Sequence, residues 1–325
     1  MSDNNAYGEN DNRRLTLYFA LMAVISVFLS HSGFSIFIFF IPMLTISVSI
    51  KSARNAFLYF LGAGIVVLGW KLFDLRSVIG KPENLGIVFV SLVYTVMVIA
   101  GVLVWVSLKN YSNNVMRKLI FSSLACMIIG AGFVVWYNVF ATQNQIARII
   151  ETYRQIFVVF RGEEGATGLA EVVFTLVMLT VVPFGIIFSS FQILVSEFII
   201  HKRDEKWQRN FSLIKMPDRY LFVFVGLWVL TGVSAFVQAV PAFVKAVLLN
   251  VALGFCLHYI LTGISILFFF MRQRNPKFTA GKMFSIVIIA MLIPLVNAFV
   301  FVMLILLSVS EIWLKFRRKN ITGTV

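Results

Sequence analysis

Long apolar runs separated by short polar connections set the pattern of this chain. Runs close to the length that crosses a bilayer as helix, about 20 residues, occupy 15–30, 33–50, 56–70, 85–108, 119–141, 168–200, 220–240, 246–271 and 283–307. They predict an all-α, polytopic transmembrane helix bundle of eight or nine spans. The bundle forms one domain over 15–316, between an N-terminal tail (1–14) and a basic C-terminal tail (317–325). Arg13 and Arg14 precede the first run and Ser30-His31-Ser32 closes it, as in a signal peptide. A second run begins at once at Phe34, so the pair reads as an uncleaved anchor and a tight hairpin.

Two stretches break the pattern. Between Thr142 and Gly162, Ile146, Ile149, Ile150, Tyr153, Ile156, Phe157 and Phe160 recur at helical spacing, opposite Gln145, Arg148, Glu151, Thr152 and Gln155. This stripe predicts an amphipathic helix near 143–160, lying in the outer interface or capping a cavity, and ended by Arg161-Gly162-Glu163-Glu164-Gly165. Near the end, Pro294 and Asn297 interrupt an apolar run. Proline removes a ladder donor and crowds the preceding turn, so 278–316 is either one kinked helix or a hairpin.

Composition sharpens the membrane reading. Of 325 residues, 60% are hydrophobic and only 13% charged, more apolar side chain than a single water-surrounded core hides. The formal net charge of +14 does not point to nucleic acid, because the basic residues lie in short loops. With the N-terminus inside, the cytoplasmic connections carry 15 Lys and Arg against seven on the other side. The C-terminal Lys315, Arg317, Arg318 and Lys319 fit that orientation only if 278–316 turns back. Cys126 and Cys256 sit in apolar runs, far apart, as small core residues.

Little catalytic chemistry is on offer. There is no phosphate-binding glycine loop, no nucleophile elbow and no metal-ligand spacing, so no enzyme, cofactor or metal is expected. Polar groups inside spans are costly and are therefore the ligand-binding candidates. Asn250, His258 and Thr262, with Gly254, follow at four-residue spacing on one helix; Glu171, Gln192 and Asn138 complete the set. The alternative for each is interhelical hydrogen bonding, or snorkelling in the case of Glu171. Lys202, Arg203, Lys206, Trp207 and Arg209 form a basic, aromatic-bearing segment suited to anionic lipid or a partner protein, with Trp207 and Phe211 able to dip into the interface.

Several short motifs carry a resemblance. Met216-Pro217-Asp218-Arg219 before a span, Asn250 in the next, Tyr259-Ile260-Leu261-Thr262-Gly263-Ile264, and the stretch from Leu307 through Ser310-Glu311-Ile312-Trp313 to Arg317 resemble the YybS-like family of bacterial membrane proteins. That family is a domain of unknown function, distantly similar to the substrate-binding subunits of energy-coupling-factor transporters. Thr262 stands where the family commonly has Gln, and Ser308 and Glu311 where it has Gly and Asp. The resemblance implies a multi-pass protein of the bacterial inner (cytoplasmic) membrane with a cytoplasmic N-terminus. It further implies a small-molecule substrate bound among the outer halves of the spans, and a separate ATPase module or other membrane subunit as partner. The competing expectation is a non-transporting scaffold or regulator that binds lipid or a partner protein.

Overall fold

The structure, a computed structural model, describes residues 16–29, 38–47, 49–50, 52–76, 84–110, 114–315 and 317, with side chains omitted at 85, 156 and 159–165. His31 and the turn between the first two runs lie outside these residues. The described chain is helical: α1 (Thr16–Leu29), α2 (Ile41–Ser47), α3 (Ala53–Asp74), α4 (Leu85–Ser107), α5 (Val115–Val139), α6 (Gln143–Ile200), α7 (Glu205–Ser212), α8 (Tyr220–Phe236), α9 (Ala242–Arg274), α10 (Ala280–Leu292) and α11 (Val296–Leu314).

Six helices are long and apolar enough to cross a membrane: α3, α4, α5, the 166–200 limb of α6, α9 and α11. The apolar helices α1, α8 and α10 are shorter. In the second expected run only the seven residues of α2 are helical among those described, a rise of about 10 Å that is too short to cross. Apolar side chains cover the outside, with Phe222 81%, Phe236 90% and Leu295 89% exposed. Water would penalise such a surface, whereas a hydrocarbon environment accepts it.

Caps explain several boundaries. Ser52 accepts from the Asn55 N–H at the start of α3, Asn114 from Arg117 at α5, and Asp204 from Trp207 at α7. Thr142 and Gln145 form a reciprocal capping box at α6. Helix α9 is the hub: it packs against α5, α6, α7, α8, α10 and α11, and 72% of its apolar window is buried, against 17% for α11. Small residues permit this closeness. A Cβ on Gly254 would lie 2.9 Å from Met127 Cε, and one on Gly263 would meet the Leu304 backbone.

The amphipathic stripe lies on the first limb of α6, packed against the bundle. Helical residues run on to Ile200, but the helix folds back on itself: the Tyr153 and Phe174 rings are 6.1 Å apart, where 21 residues of straight helix would span about 31 Å. The apolar stripe is thereby buried against the bundle, with Ile149 only 2% exposed and Ile146, Ile150 and Tyr153 packed beside it.

The Pro294 break makes a hairpin rather than a kinked span. At the start of α10 the Ala280 N–H donates to Gln208 Oε1 at 2.8 Å. Beyond α11, an Arg317 terminal nitrogen donates to the Ser212 and Ile214 carbonyls at 2.9 Å. Both ends of the α10–α11 segment thus meet α7 and the turn after it. Leu295, at the reversal, has φ 68°, a left-handed conformation uncommon for a leucine. Other basic connections gather at the same end: Lys109 Nζ donates to the Ser47 and Ile50 carbonyls at 2.6 and 2.7 Å, and Arg272 pairs with Glu205 at 2.8 Å.

Candidate functional site

The polar residues singled out from the sequence do not converge on one cavity. Asn250 is buried between α9 and α6, where Pro183 interrupts the α6 ladder. Its Oδ1 accepts from the Val182 N–H at 3.0 Å, and its Nδ2 donates to the carbonyls of Met178 and Ala246, each at 3.0 Å. Both amide protons and the carbonyl oxygen are therefore engaged by backbone. Thr262 is used in the same way, donating to the His258 carbonyl and accepting from the Met216 N–H, each at 3.1 Å. This second clasp holds the segment after α7 against α9.

The others are scattered. Gln192 Oε1 accepts from the Phe40 N–H at 2.7 Å and pins the turn before α2 to α6. Asn138 donates to the Val134 carbonyl of its own helix at 2.8 Å. Glu171 lies on an exposed face of α6.

His258 alone among them borders a sizeable pocket. Its Nδ1 donates to the Gly254 carbonyl at 3.2 Å, and its ring lines a cavity of about 320 Å³ enclosed by α6, α9 and α10. Ile186, Ile187 and Leu194 come from α6, Leu257, Leu261 and Ile264 from α9, and Val287, Ile288 and Met291 from α10. Leu119 and Phe301 close it, and Ser190 is the other polar lining residue. A cavity of this size and character desolvates an apolar molecule, or one chain of a lipid, and offers few polar groups to orient it.

In the basic segment, Lys202, Arg203, Lys206 and Arg209 are exposed, as a lipid-facing or partner-facing surface requires. Phe211 is buried in the bundle and does not reach an interface, while Trp207 is half-buried. The Trp207 ring stacks on His201 with centroids 5.1 Å apart, and Phe211, 1% exposed, packs on Phe198 and Phe268. Because the chain turns at His201, the apolar face of α7 lands on the ends of α6 and α9. The Asp204 carboxyl is held below its usual range, chiefly by the Trp207 N–H it caps and further by His201. Lys109 is pushed below the usual lysine range, first by burial and then by nearby Lys118, with Glu197 opposing.

A buried ion pair was not singled out by sequence reasoning. Arg317 Nε meets Glu311 Oε1 at 3.0 Å, with side chains 4% and 7% exposed, and Arg317 also donates to Ser265 Oγ at 3.2 Å. Its place six residues past an acidic residue in a basic tail looks like solvated charge, so only the folded chain shows it reaching inward. Pro183 marked this turn of α6 as irregular, but nothing in the sequence tied Asn250 to the neighbouring Val182 and Met178 backbone. Gln208 carried no such mark.

Among the described residues no group of His, Cys, Asp and Glu is arranged to hold a metal ion. No family model, curated protein or solved structure matches this chain.

Proposed function

We propose that this integral membrane protein binds an apolar small molecule in the pocket between α6, α9 and α10, as the substrate-binding component of a transport system energised by a separate module. The observation that carries the reading is the pocket itself: about 320 Å³, almost wholly apolar, with His258 and Ser190 at its edge. The YybS-like resemblance supports a ligand-binding membrane subunit. The apolar lining favours a ligand taken from the lipid phase over a polar metabolite. Basic residues gathered at one end of the bundle support a cytoplasmic assignment for that end. The α10–α11 hairpin would then return the C-terminus to the cytoplasm, beside the other basic connections.

A second reading is a scaffold or regulator in which these polar groups serve only the fold. The engagement of Asn250, Thr262 and Gln192 by backbone favours it. A thermal-shift screen of purified protein against apolar compounds, lipids and polar metabolites separates the two. The comparison is with Leu257→Trp, which fills the pocket. An apolar compound that stabilises the parent and not the variant supports the binding component. A polar metabolite that stabilises both overturns the pocket assignment, and no shift with any compound favours the scaffold.

A further inference from the structure

The apolar pocket has an extension. A second groove, of about 680 Å³, runs between the last turns of α6 and the start of α10. Phe191, Phe284 and Ile288 line both cavities, so the two form one trough. The trough runs from the level of His258 toward the end of the bundle where the basic connections gather. Its walls are apolar along the length. At that end it is flanked by Lys202, just past α6, and Lys282, in the first turn of α10.

The two lysines face the groove from different elements, and both are exposed. Among the described residues neither ammonium group has an ion pair. No aspartate or glutamate lines the groove to neutralise them, while Thr279, Ser285 and Gln208 add neutral hydrogen-bonding groups beside them. The α10 backbone contributes too, because Thr279 caps a helix whose positive N-terminal end points the same way. A long apolar trough with a doubly cationic, hydroxyl-bearing mouth is complementary to one kind of molecule.

From this continuity and charge pattern we propose that the trough holds an anionic membrane lipid, its head group between Lys202 and Lys282 and one acyl chain extending past Ile288 toward His258. The proposal rests on the apolar-pocket reading above and names the ligand class for it. The head group supplies what the lysines lack, and the chain takes the place that an apolar substrate would have.

Native mass spectrometry of the full chain, purified from equimolar phosphatidylglycerol and phosphatidylcholine, tests it. The parent is expected to retain phosphatidylglycerol over phosphatidylcholine by about thirtyfold, given two lysines near the head group. Lys202→Gln with Lys282→Gln should bring that ratio close to one while total bound lipid stays similar. Ile288→Trp, at the neck of the trough, should reduce bound lipid of either kind. Circular dichroism and melting temperature check that each variant is folded. A preference unchanged in the lysine double variant overturns the anionic-lipid proposal while leaving the pocket intact. Bound lipid unchanged in folded Ile288→Trp overturns this proposal together with lipid-chain occupancy of the pocket. Displacement of the lipid by millimolar inorganic phosphate would show a bare oxyanion site and would likewise overturn it.

Discussion

The carboxamide of Asn250 on α9 accepts the N–H of Val182 on α6 at 3.0 Å and donates to the carbonyl of Met178, the two groups that the helical ladder joins to each other. One side chain from the hub helix thus reinforces its neighbour in the turn where Pro183 breaks regularity. In hydrocarbon this matters because no water competes for these backbone groups.

Asn250→Leu should therefore lower the stability of the ligand-free protein, by about 1–2 kcal/mol, as interhelical hydrogen bonds in membranes do. The melting temperature in detergent, without added ligand, reads this directly. An unchanged value would show that Asn250 is not a structural clasp and would return it to the ligand candidates.

Two glycines should behave oppositely. Gly263→Ala puts a methyl group onto the Leu304 backbone, which cannot move aside as a side chain can, and should cost about 1–3 kcal/mol. Gly62→Ala meets nothing within 4 Å and should be neutral or stabilising, since alanine is the better helix former. Equal melting temperatures for the two would contradict the α9–α11 crossing.

Removing one member of the buried ion pair should be worse than removing both. Arg317→Met leaves Glu311 charged, 6% exposed and without its guanidinium, at a cost of about 3–5 kcal/mol. Glu311→Met with Arg317→Met should recover most of that loss. The comparison is a double-mutant cycle by thermal denaturation, and additive losses would argue against coupling.

Acid should weaken the cap on α7. The Asp204 carboxyl titrates below its ordinary value of about 3.9 when folded, so its contribution is present above that value and is lost as pH falls through the lowered folded value. Asp204→Asn keeps a capping oxygen without the charge. Between pH 7 and pH 3 the parent should therefore lose more stability than Asp204→Asn. Parallel melting curves would remove the carboxylate from this role.

The hairpin fixes the side of the C-terminus relative to the other basic connections. In a variant with Cys126 and Cys256 replaced, single cysteines at Pro276 and Thr322 should be labelled by an impermeant maleimide from the same face of sealed vesicles. Labelling from opposite faces would restore the single kinked span.

Much of the architecture was legible because it depends on composition along one dimension. Apolar runs placed α3, α4, α5, α9 and the long limb of α6, and the 3.6-residue stripe marked Ile146, Ile149, Ile150 and Tyr153 as an apolar face. For the second run, hydropathy alone does not show that helix within the described residues 38–47 is confined to Ile41–Ser47. Lys202 and Arg209 are exposed, as charge in a connection should be, while Phe211, expected at the interface, is buried, because residue type alone cannot tell lipid from a neighbouring helix.

By itself, then, the sequence determined that the protein is a helical membrane bundle, where charge accumulates, and which few polar groups lie within it, since each follows from local hydropathy and spacing. Tertiary structure alone decided what those groups do: whether the amide of Asn250 faces a ligand or the backbone of Val182, whether Pro294 kinks or reverses the chain, and whether Arg317 is tail or core. These are questions of partnership between residues tens of positions apart, and a hydrogen bond needs its donor and acceptor within about 3 Å, a distance no local pattern encodes.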